Sequence, residues 1–226
     1  MLIVIPDLLT PDEVRHCRLA LLEAQWEDGL NTAGYLAAEV KKNQQLPLDH
    51  PVGKELGAQI MHRLASHPQF IAAALPARIL PPRFNRYEGG ETYGNHIDNA
   101  IFNIPGTEQR IRSDVSSTLF LSAPDEYDGG ELVIEDTYGS QEIKLAAGDL
   151  VVYPGTSLHR VNPVTRGLRL GAFFWTQSMV RSAQHRAMLW ELDQSIQRLA
   201  QQEVAAAELA RLSGVYHNLI REWAEV

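Results

Sequence analysis

The sequence predicts a mainly β protein whose core is a double-stranded β-helix, or jelly roll, with flanking helices and a C-terminal helical hairpin. Three observations support this fold class. Between residues 78 and 176, short β-branched and aromatic runs alternate with clusters of Gly, Pro, Asn and Asp. Before this segment, apolar residues repeat at helical spacing. After it, two further helical stripes follow without a proline between them.

The first residues predict a strand rather than a signal peptide. Residues 1–5 are apolar, but no basic leader precedes them and Pro6 follows at once. No apolar run in the chain approaches the roughly 20 residues that cross a bilayer. We therefore expect a cytoplasmic protein without a membrane partner.

Two helices are predicted before the β segment. Thr10 and Glu13 have the spacing of a capping box, which predicts a helix from Thr10 to about Gln25. Its apolar face includes Cys17, the one cysteine, which cannot form an internal disulfide and is expected to pack in the core. Apolar residues at every fourth position predict a second helix over residues 52–67.

The β segment contains seven runs with strand character. They cover residues 79–80, 83–87, 115–122, 131–135, 141–145, 149–153 and 168–176. Strands at this spacing, with glycine turns between them, favour a jelly roll with hairpin connections. We expect residues 1–77 to supply an N-terminal strand and supporting helices, 78–178 the jelly-roll core, and 179–226 a helical extension through which the chain could form a homo-oligomer.

The charge of the chain argues against nucleic acid as a partner. The formal net charge is −8, and no basic run is present that could follow a phosphate backbone. The acidic excess concentrates between Arg86 and Asp149, where thirteen acidic residues accompany four basic ones. This excess could attract a cationic peptide or amine, although solvated loops account for most of it.

Three residues could bind one metal ion. His96 and Asp98 are two positions apart, so a strand would place both on one face. His159 follows a buried-looking run and a turn, and in an antiparallel barrel a late strand can lie beside an early one. Two imidazoles and one carboxylate form the facial triad of non-haem iron oxygenases. Taken singly, the same residues also fit a surface hydrogen-bonded pair and a strand-end histidine held by a backbone carbonyl.

One arginine and two tyrosines are further candidates for the site. Arg169 lies in an apolar run, across a predicted hairpin from His159, and would need a ligand carboxylate if it points inward. The alternation of inward and outward side chains cannot be followed through the turn, so the sequence leaves open that Arg169 points outward. Tyr87 and Tyr93 flank a glycine turn before His96, which would place two phenols near the metal unless both simply pack in the barrel.

The order of these motifs resembles a known family. The pattern Tyr-x-x-Gly-x-x-Tyr-x-x-His-x-Asp at 87–98, Gly-Gly-Glu-Leu at 129–132 and Ala-Gly-Asp at 147–149 precede His159 and Arg169. This order resembles the prolyl 4-hydroxylase-like branch of Fe(II)/2-oxoglutarate dioxygenases. The segment Met-Leu-Ile-x-Ile-Pro-x-Leu-Leu, the segment Pro-Pro-x-Phe-Asn-Arg-Tyr and the helical tail are similar to the bacterial PKHD-type hydroxylases, also called iron-uptake factor. The resemblance covers nearly the whole chain.

The resemblance implies a site and a reaction. It implies that His96, Asp98 and His159 ligate Fe(II). It implies that Arg169 binds the distal carboxylate of 2-oxoglutarate. It also implies that Tyr87 contacts this cosubstrate. The implied reaction hydroxylates an unidentified small-molecule or peptide substrate, with succinate and CO₂ as coproducts. Ascorbate as an auxiliary reductant and a link to iron uptake are implied in the same way.

One position departs from the family pattern. Phe120 occupies a strand position where animal prolyl hydroxylases place a tyrosine that binds the cosubstrate. Arg169 would then need another partner, such as Thr118, and specificity for peptidyl proline is not implied.

Two rival classes stay open at this stage. A metal cupin enzyme would use similar ligands on a similar barrel without 2-oxoglutarate, although Arg169 and the His-x-Asp order argue against it. A non-catalytic jelly-roll module would bind a ligand in the barrel mouth, with the histidines purely structural.

Overall fold

The computed structural model describes residues 1–32, 40–104, 106–136, 139–202 and 205–225. These residues form five α-helices and one short 3-10 helix at Gly29–Thr32. The α-helices are α1 (Pro11–Glu23), α2 (Pro51–Ser66), α3 (Pro68–Ala74), α4 (Ala183–Ala200) and α5 (Ala206–Trp223). None of these helices is long and apolar enough to cross a membrane.

The same residues form sixteen strands. They are β1 (Ile3–Ile5), β2 (Glu27–Asp28), β3 (Lys41–Lys42), β4 (Gln44–Gln45), β5 (Pro76–Ile79), β6 (Arg83–Glu88), β7 (Thr92–His96), β8 (Ile101–Asn103), β9 (Arg110–Arg112), β10 (Val115–Phe120), β11 (Tyr127–Gly129), β12 (Leu132–Asp136), β13 (Gly139–Ile143), β14 (Leu150–Pro154), β15 (His159–Val161) and β16 (Val164–Ser178).

The strands assemble into two facing antiparallel sheets. The major sheet has the order β1-β14-β10-β16-β6-β4-β2, and β5 and β11 pair with further parts of the long β16. The minor sheet has the order β13-β12-β15-β7-β3, and β8 and β9 form a separate two-stranded ribbon. An apolar cluster that includes Phe120 and Val151 of the major sheet and Leu132 and Val161 of the minor sheet fills the space between them. This sandwich confirms the predicted jelly roll.

Helices cover the outer face of the major sheet. Leu21 of α1, Ile60 of α2 and Phe70 of α3 pack in one cluster with Phe84 and Phe174 of the sheet. Since these strands are apolar on both faces, burying the second face requires a helical layer.

The predicted start of α1 is confirmed in atomic detail. The Thr10 hydroxyl accepts the Glu13 N–H at 3.3 Å, and the Thr10 N–H donates to the Glu13 carboxylate at 2.8 Å. This capping box satisfies two backbone groups that a helix end otherwise leaves unpaired. Cys17 on α1 is buried in the core, as predicted.

The two C-terminal helices pack against the edge of the core. Leu189 of α4 joins Leu75 and Val180 in a small buried cluster. The Arg186 guanidinium donates to the carbonyls of Val180 and Asp114, at 2.8 and 3.0 Å, which ties α4 to the major sheet. The predicted helical extension is therefore docked on the chain's own core.

One predicted connection is wrong. The sequence suggests a hairpin between the strand of His159 and that of Arg169, but β15 pairs within the minor sheet and β16 within the major sheet. Residues 162–163 therefore cross from one sheet to the other. The crossing brings the two sheets together around the site described below.

Candidate functional site

Three predicted ligands converge at one end of the sandwich. His96 ends β7 and His159 begins β15, and the two residues lie directly opposite each other in the antiparallel pair. Asp98 follows two residues after His96, with its carboxylate oxygens 3.9 Å from His96 Nε2 and 3.8 Å from His159 Nε2. The ligand atoms of all three residues lie within 4.8 Å of one another.

Backbone carbonyls orient both imidazoles toward the centre of this cluster. His96 Nδ1 lies 2.8 Å from the Gly94 carbonyl, and His159 Nδ1 lies 3.0 Å from the Ser157 carbonyl. Each Nδ1 therefore carries the proton, which leaves the Nε2 lone pair directed at the cluster. Burial, aided by the neighbouring His159, lowers the pKa of His96 to about 4, which keeps its imidazole neutral. Two imidazoles beside a carboxylate are a donor set that fits Fe(II).

Neighbouring side chains support Asp98 and the histidines, and two of them, Ser116 and Tyr153, were not predicted from the sequence. The Ser116 hydroxyl on β10 donates to Asp98 Oδ2 at 2.7 Å. The Tyr93 ring stacks on the His96 ring at a centroid distance of 3.6 Å, so this tyrosine does lie beside the triad. The Tyr153 ring meets His159 edge-on at 5.2 Å. Nothing in the local spacing of Ser116 or Tyr153 signals these contacts, because they form across strands.

Arg169 points into the space between the sheets. Its side chain is 1% exposed, and its guanidinium carbon lies 5.3 Å from the ring centres of both Tyr87 and Phe120. Its Nε and Nη1 have no hydrogen-bond partner among the described residues. Buried guanidinium nitrogens without a partner are costly unless a ligand supplies an anion. The outward-pointing alternative for Arg169 is excluded.

Burial and charge also affect the tyrosines around the site. Burial raises the pKa of Tyr87, while the nearby Arg169 acts in the opposite direction. Burial, together with the charge of Asp98, raises the pKa of Tyr93 and of Tyr153. All three phenols therefore stay protonated and can act as hydrogen-bond donors.

A single cavity connects the triad with Arg169. Its volume is about 840 Å³, counting the space at its open mouth. In the described part of the chain, its charged lining comprises one acidic residue, Asp98, and three basic residues, Lys41, Arg83 and Arg169. The acidic excess of the sequence therefore does not line the cavity. Thr118, which the sequence suggests as a helper of Arg169, also lines it.

A jelly roll with a His-Asp-His cluster at one end and a buried arginine in the same cavity defines the Fe(II)- and 2-oxoglutarate-dependent oxygenases. Residues 82–177 match the family model of the 2OG-Fe(II) oxygenase superfamily. Residues 184–225 match the model of the PKHD-type hydroxylase C-terminal domain.

Relatives identify the family within this class. The chain is 60% identical over 225 residues to a PKHD-type hydroxylase of Delftia acidovorans, with 100% of both chains covered. It is 55% identical over 226 residues to the PKHD-type hydroxylase PiuC of Pseudomonas aeruginosa, again with 100% of both chains covered. The chain belongs to the PKHD-type hydroxylases, and it is an oxidoreductase of the 2-oxoglutarate dioxygenase class. The cupin and binding-module alternatives are thereby set aside.

Solved structures agree on the fold. A prolyl-4-hydroxylase from Pseudomonas putida aligns with a TM-score of 0.54 at 22% identity, covering 78% of this chain and 92% of that one. HygX from Streptomyces hygroscopicus, solved with nickel, 2-oxoglutarate and hygromycin B, aligns with a TM-score of 0.54 at 15% identity, covering 78% and 82%. At these identities the likeness concerns the fold alone.

Proposed function

We propose that the chain hydroxylates a C–H bond of a small-molecule or peptide substrate, with Fe(II) held by His96, Asp98 and His159. Arg169 would hold the distal carboxylate of 2-oxoglutarate, and Tyr87 would line the cosubstrate site beside it. The observation that carries this proposal is the 1% exposed Arg169, whose Nε and Nη1 lack a partner among the described residues, in the same cavity as the three ligands.

The cofactors supply the oxidising chemistry. When Fe(II) and 2-oxoglutarate are bound, O₂ is consumed, 2-oxoglutarate is converted to succinate and CO₂, and one oxygen atom is transferred to the substrate. The chain's own residues bind the cofactors, orient the metal ligands and exclude water from the site. Ser116 fixes the Asp98 carboxylate, and the backbone carbonyls of Gly94 and Ser157 fix the histidine rings.

The rings of Tyr87 and Phe120 form the walls around Arg169. Both are 1% exposed, so they shield the guanidinium from water and strengthen its attraction for a carboxylate. Phe120 supplies no hydroxyl, whereas Thr118 lies on the same strand and lines the cavity. We therefore assign Thr118 as the candidate for a further polar contact with the cosubstrate.

Three further features belong to the proposal through family membership. Ascorbate would act as an auxiliary reductant, and the protein would work in the cytoplasm. A physiological role linked to iron uptake is a prediction of the same kind. Addition of ascorbate during repeated turnover should slow the loss of succinate formation if the first of these holds.

Anaerobic spectroscopy tests the proposal. Fe(II) and 2-oxoglutarate added together should give a weak charge-transfer band in the visible, because the cosubstrate chelates the metal. His96→Ala and His159→Ala should abolish the band without loss of the fold, because both side chains line a cavity. His62→Ala, at an exposed position on α2, is the matched control and should keep the band. A folded wild-type protein that gives no band would contradict the proposal.

A further inference from the structure

Arg83 lies on the wall of the cavity but outside the cosubstrate site. Alternate residues of β6, namely Arg83, Asn85 and Tyr87, line the cavity, whereas Arg86 between them does not. Side chains that alternate along a strand point to opposite faces, so Arg83 shares the inner face with Tyr87.

The strand register separates Arg83 from Arg169. Tyr87 pairs with Arg169, and Arg83 pairs with Phe173. These two pairs of residues are four positions apart on each strand, which is about 13 Å. A five-carbon diacid extends over roughly 7 Å, given ordinary C–C bond lengths. A cosubstrate anchored at Arg169 therefore leaves the level of Arg83 free for another molecule.

Two aromatic rings hold the Arg83 guanidinium at the metal end of the cavity. Its central carbon lies 5.2 Å from the centre of Trp175 and 5.7 Å from that of Phe102, and these rings stack at 4.0 Å. Trp175 pairs with Ser116, the residue that donates to the metal-site carboxylate of Asp98. Arg83 therefore lies on the side of the cavity that carries the Asp98 carboxylate.

Arg83 forms no ion pair with a carboxylate of the described residues, although it is half-buried. Other arginines near the sheets do have such partners: Arg86 pairs with Glu88, and Arg112 pairs with Asp114. Burial lowers the pKa of Arg83 from its usual range, because less water surrounds the charged group. Aromatic faces orient a guanidinium and leave its N–H groups available to a planar anion.

We propose that Arg83 binds an anionic group, a carboxylate or a phosphate, of the primary substrate, with the Phe102–Trp175 pair as the adjacent wall. This inference rests on the proposed function and names the substrate class of the same site. Arg83 would then determine substrate specificity. An anionic substrate also differs from the cationic peptide or amine that the acidic excess of the sequence suggests.

A matched series of probes tests the charge preference. Benzoate, phenyl phosphate, benzamide and benzylamine are titrated into the anaerobic complex with Fe(II) and saturating 2-oxoglutarate, which occupies Arg169. Relaxation of the probe protons by the paramagnetic iron reports binding next to the metal. The two anions should bind roughly tenfold or more tightly than benzamide, because a charge-assisted pair is lost in the amide. Benzylamine should bind most weakly, and whichever anion binds better identifies the carboxylate or phosphate class.

Variants connect the preference with Arg83. Arg83→Met should reduce anion binding to the level of benzamide, and Arg83→Lys should fall between, because it keeps the charge but loses the planar fork. Arg86→Met, on the same strand but facing away from the cavity, should leave the preference unchanged. The apparent affinity for 2-oxoglutarate should be the same in all three variants.

The outcomes separate this inference from the proposed function. If the charge-transfer band forms but neither benzoate nor phenyl phosphate binds more tightly than benzamide, the anion site is refuted and the oxygenase assignment stands. If Arg83→Met weakens 2-oxoglutarate instead, Arg83 serves the cosubstrate and the inference is wrong. If no band forms, the proposed function fails and this inference fails with it.

Discussion

Replacing Arg169 by leucine removes the proposed anchor of 2-oxoglutarate without touching the three metal ligands. The guanidinium is 1% exposed, and its Nε and Nη1 have no hydrogen-bond partner among the described residues, so it has N–H groups available for charge-assisted hydrogen bonds to a carboxylate. Each such bond contributes about 1.5 to 3 kcal/mol, so the apparent affinity should fall on the order of a hundredfold or more. Fe(II) affinity should hardly change.

The same substitution has an unusual consequence for stability. Because two nitrogen atoms of the buried cation lack a hydrogen-bond partner among the described residues, Arg169→Leu should unfold at the same or a higher temperature than wild type. Arg186→Leu is the contrasting control, since that guanidinium is 4% exposed but donates to three backbone carbonyls. Its loss should cost roughly 3 kcal/mol or more while leaving the affinity for 2-oxoglutarate unchanged.

The assay is succinate release against 2-oxoglutarate concentration, run without primary substrate. Thermal unfolding with and without 2-oxoglutarate gives a second readout, because a ligand that binds only the folded state raises its stability. Arg169→Lys should fall between wild type and Arg169→Leu. If Arg169→Leu retains wild-type saturation, the guanidinium does not hold the cosubstrate, and the assignment of this end of the cavity is refuted.

Three further changes test other parts of the structure. Ser116→Ala removes the hydroxyl that donates to Asp98, so Fe(II) affinity should fall about 10- to 100-fold, as measured by anaerobic titration; unchanged affinity would show that the contact is dispensable. Burial raises the pKa of the Cys17 thiol to about 11, so native protein at pH 8 should resist iodoacetamide and react only on unfolding; rapid native labelling would contradict the buried position. Deleting residues 179–226 removes the side chains that pack on Leu75, so aggregation or a changed association state should appear in size-exclusion chromatography. A soluble fragment with an unchanged association state would show that the tail is a separate appendage.

Local signals predict the helices well because the information lies within one turn. The capping box of Thr10 and Glu13 and the apolar repeat of α2 each involve residues three or four positions apart. Helix α3 has no such signal: seven residues form it, and burial of Phe70 against the sheet stabilises it. The two-residue strands β2, β3 and β4 are likewise too short to show a period.

Contacts across strands explain what the sequence analysis missed in the site. Pairing of His159 with His96 was foreseen only as a possibility of barrel topology, and Ser116 and Tyr153 were not foreseen at all. The polar, glycine-containing β7 has the composition of a turn, but it forms a strand because β15 pairs with it. The direction of Arg169 depended on parity through a connection that crosses between sheets, which no local pattern encodes.

The main-chain carbonyls of Gly94 and Ser157 fix the histidine tautomers. The geometry of the metal site and the shape of the substrate wall therefore depend on different parts of the protein. Orientation of the imidazoles depends on backbone path, which side-chain substitutions elsewhere in the cavity leave intact. The wall formed by Arg83, Phe102 and Trp175 depends on side chains alone. Such a division lets mutation change which molecule is oxidised while the oxidising centre persists, so the wall is where engineering for a new substrate should begin.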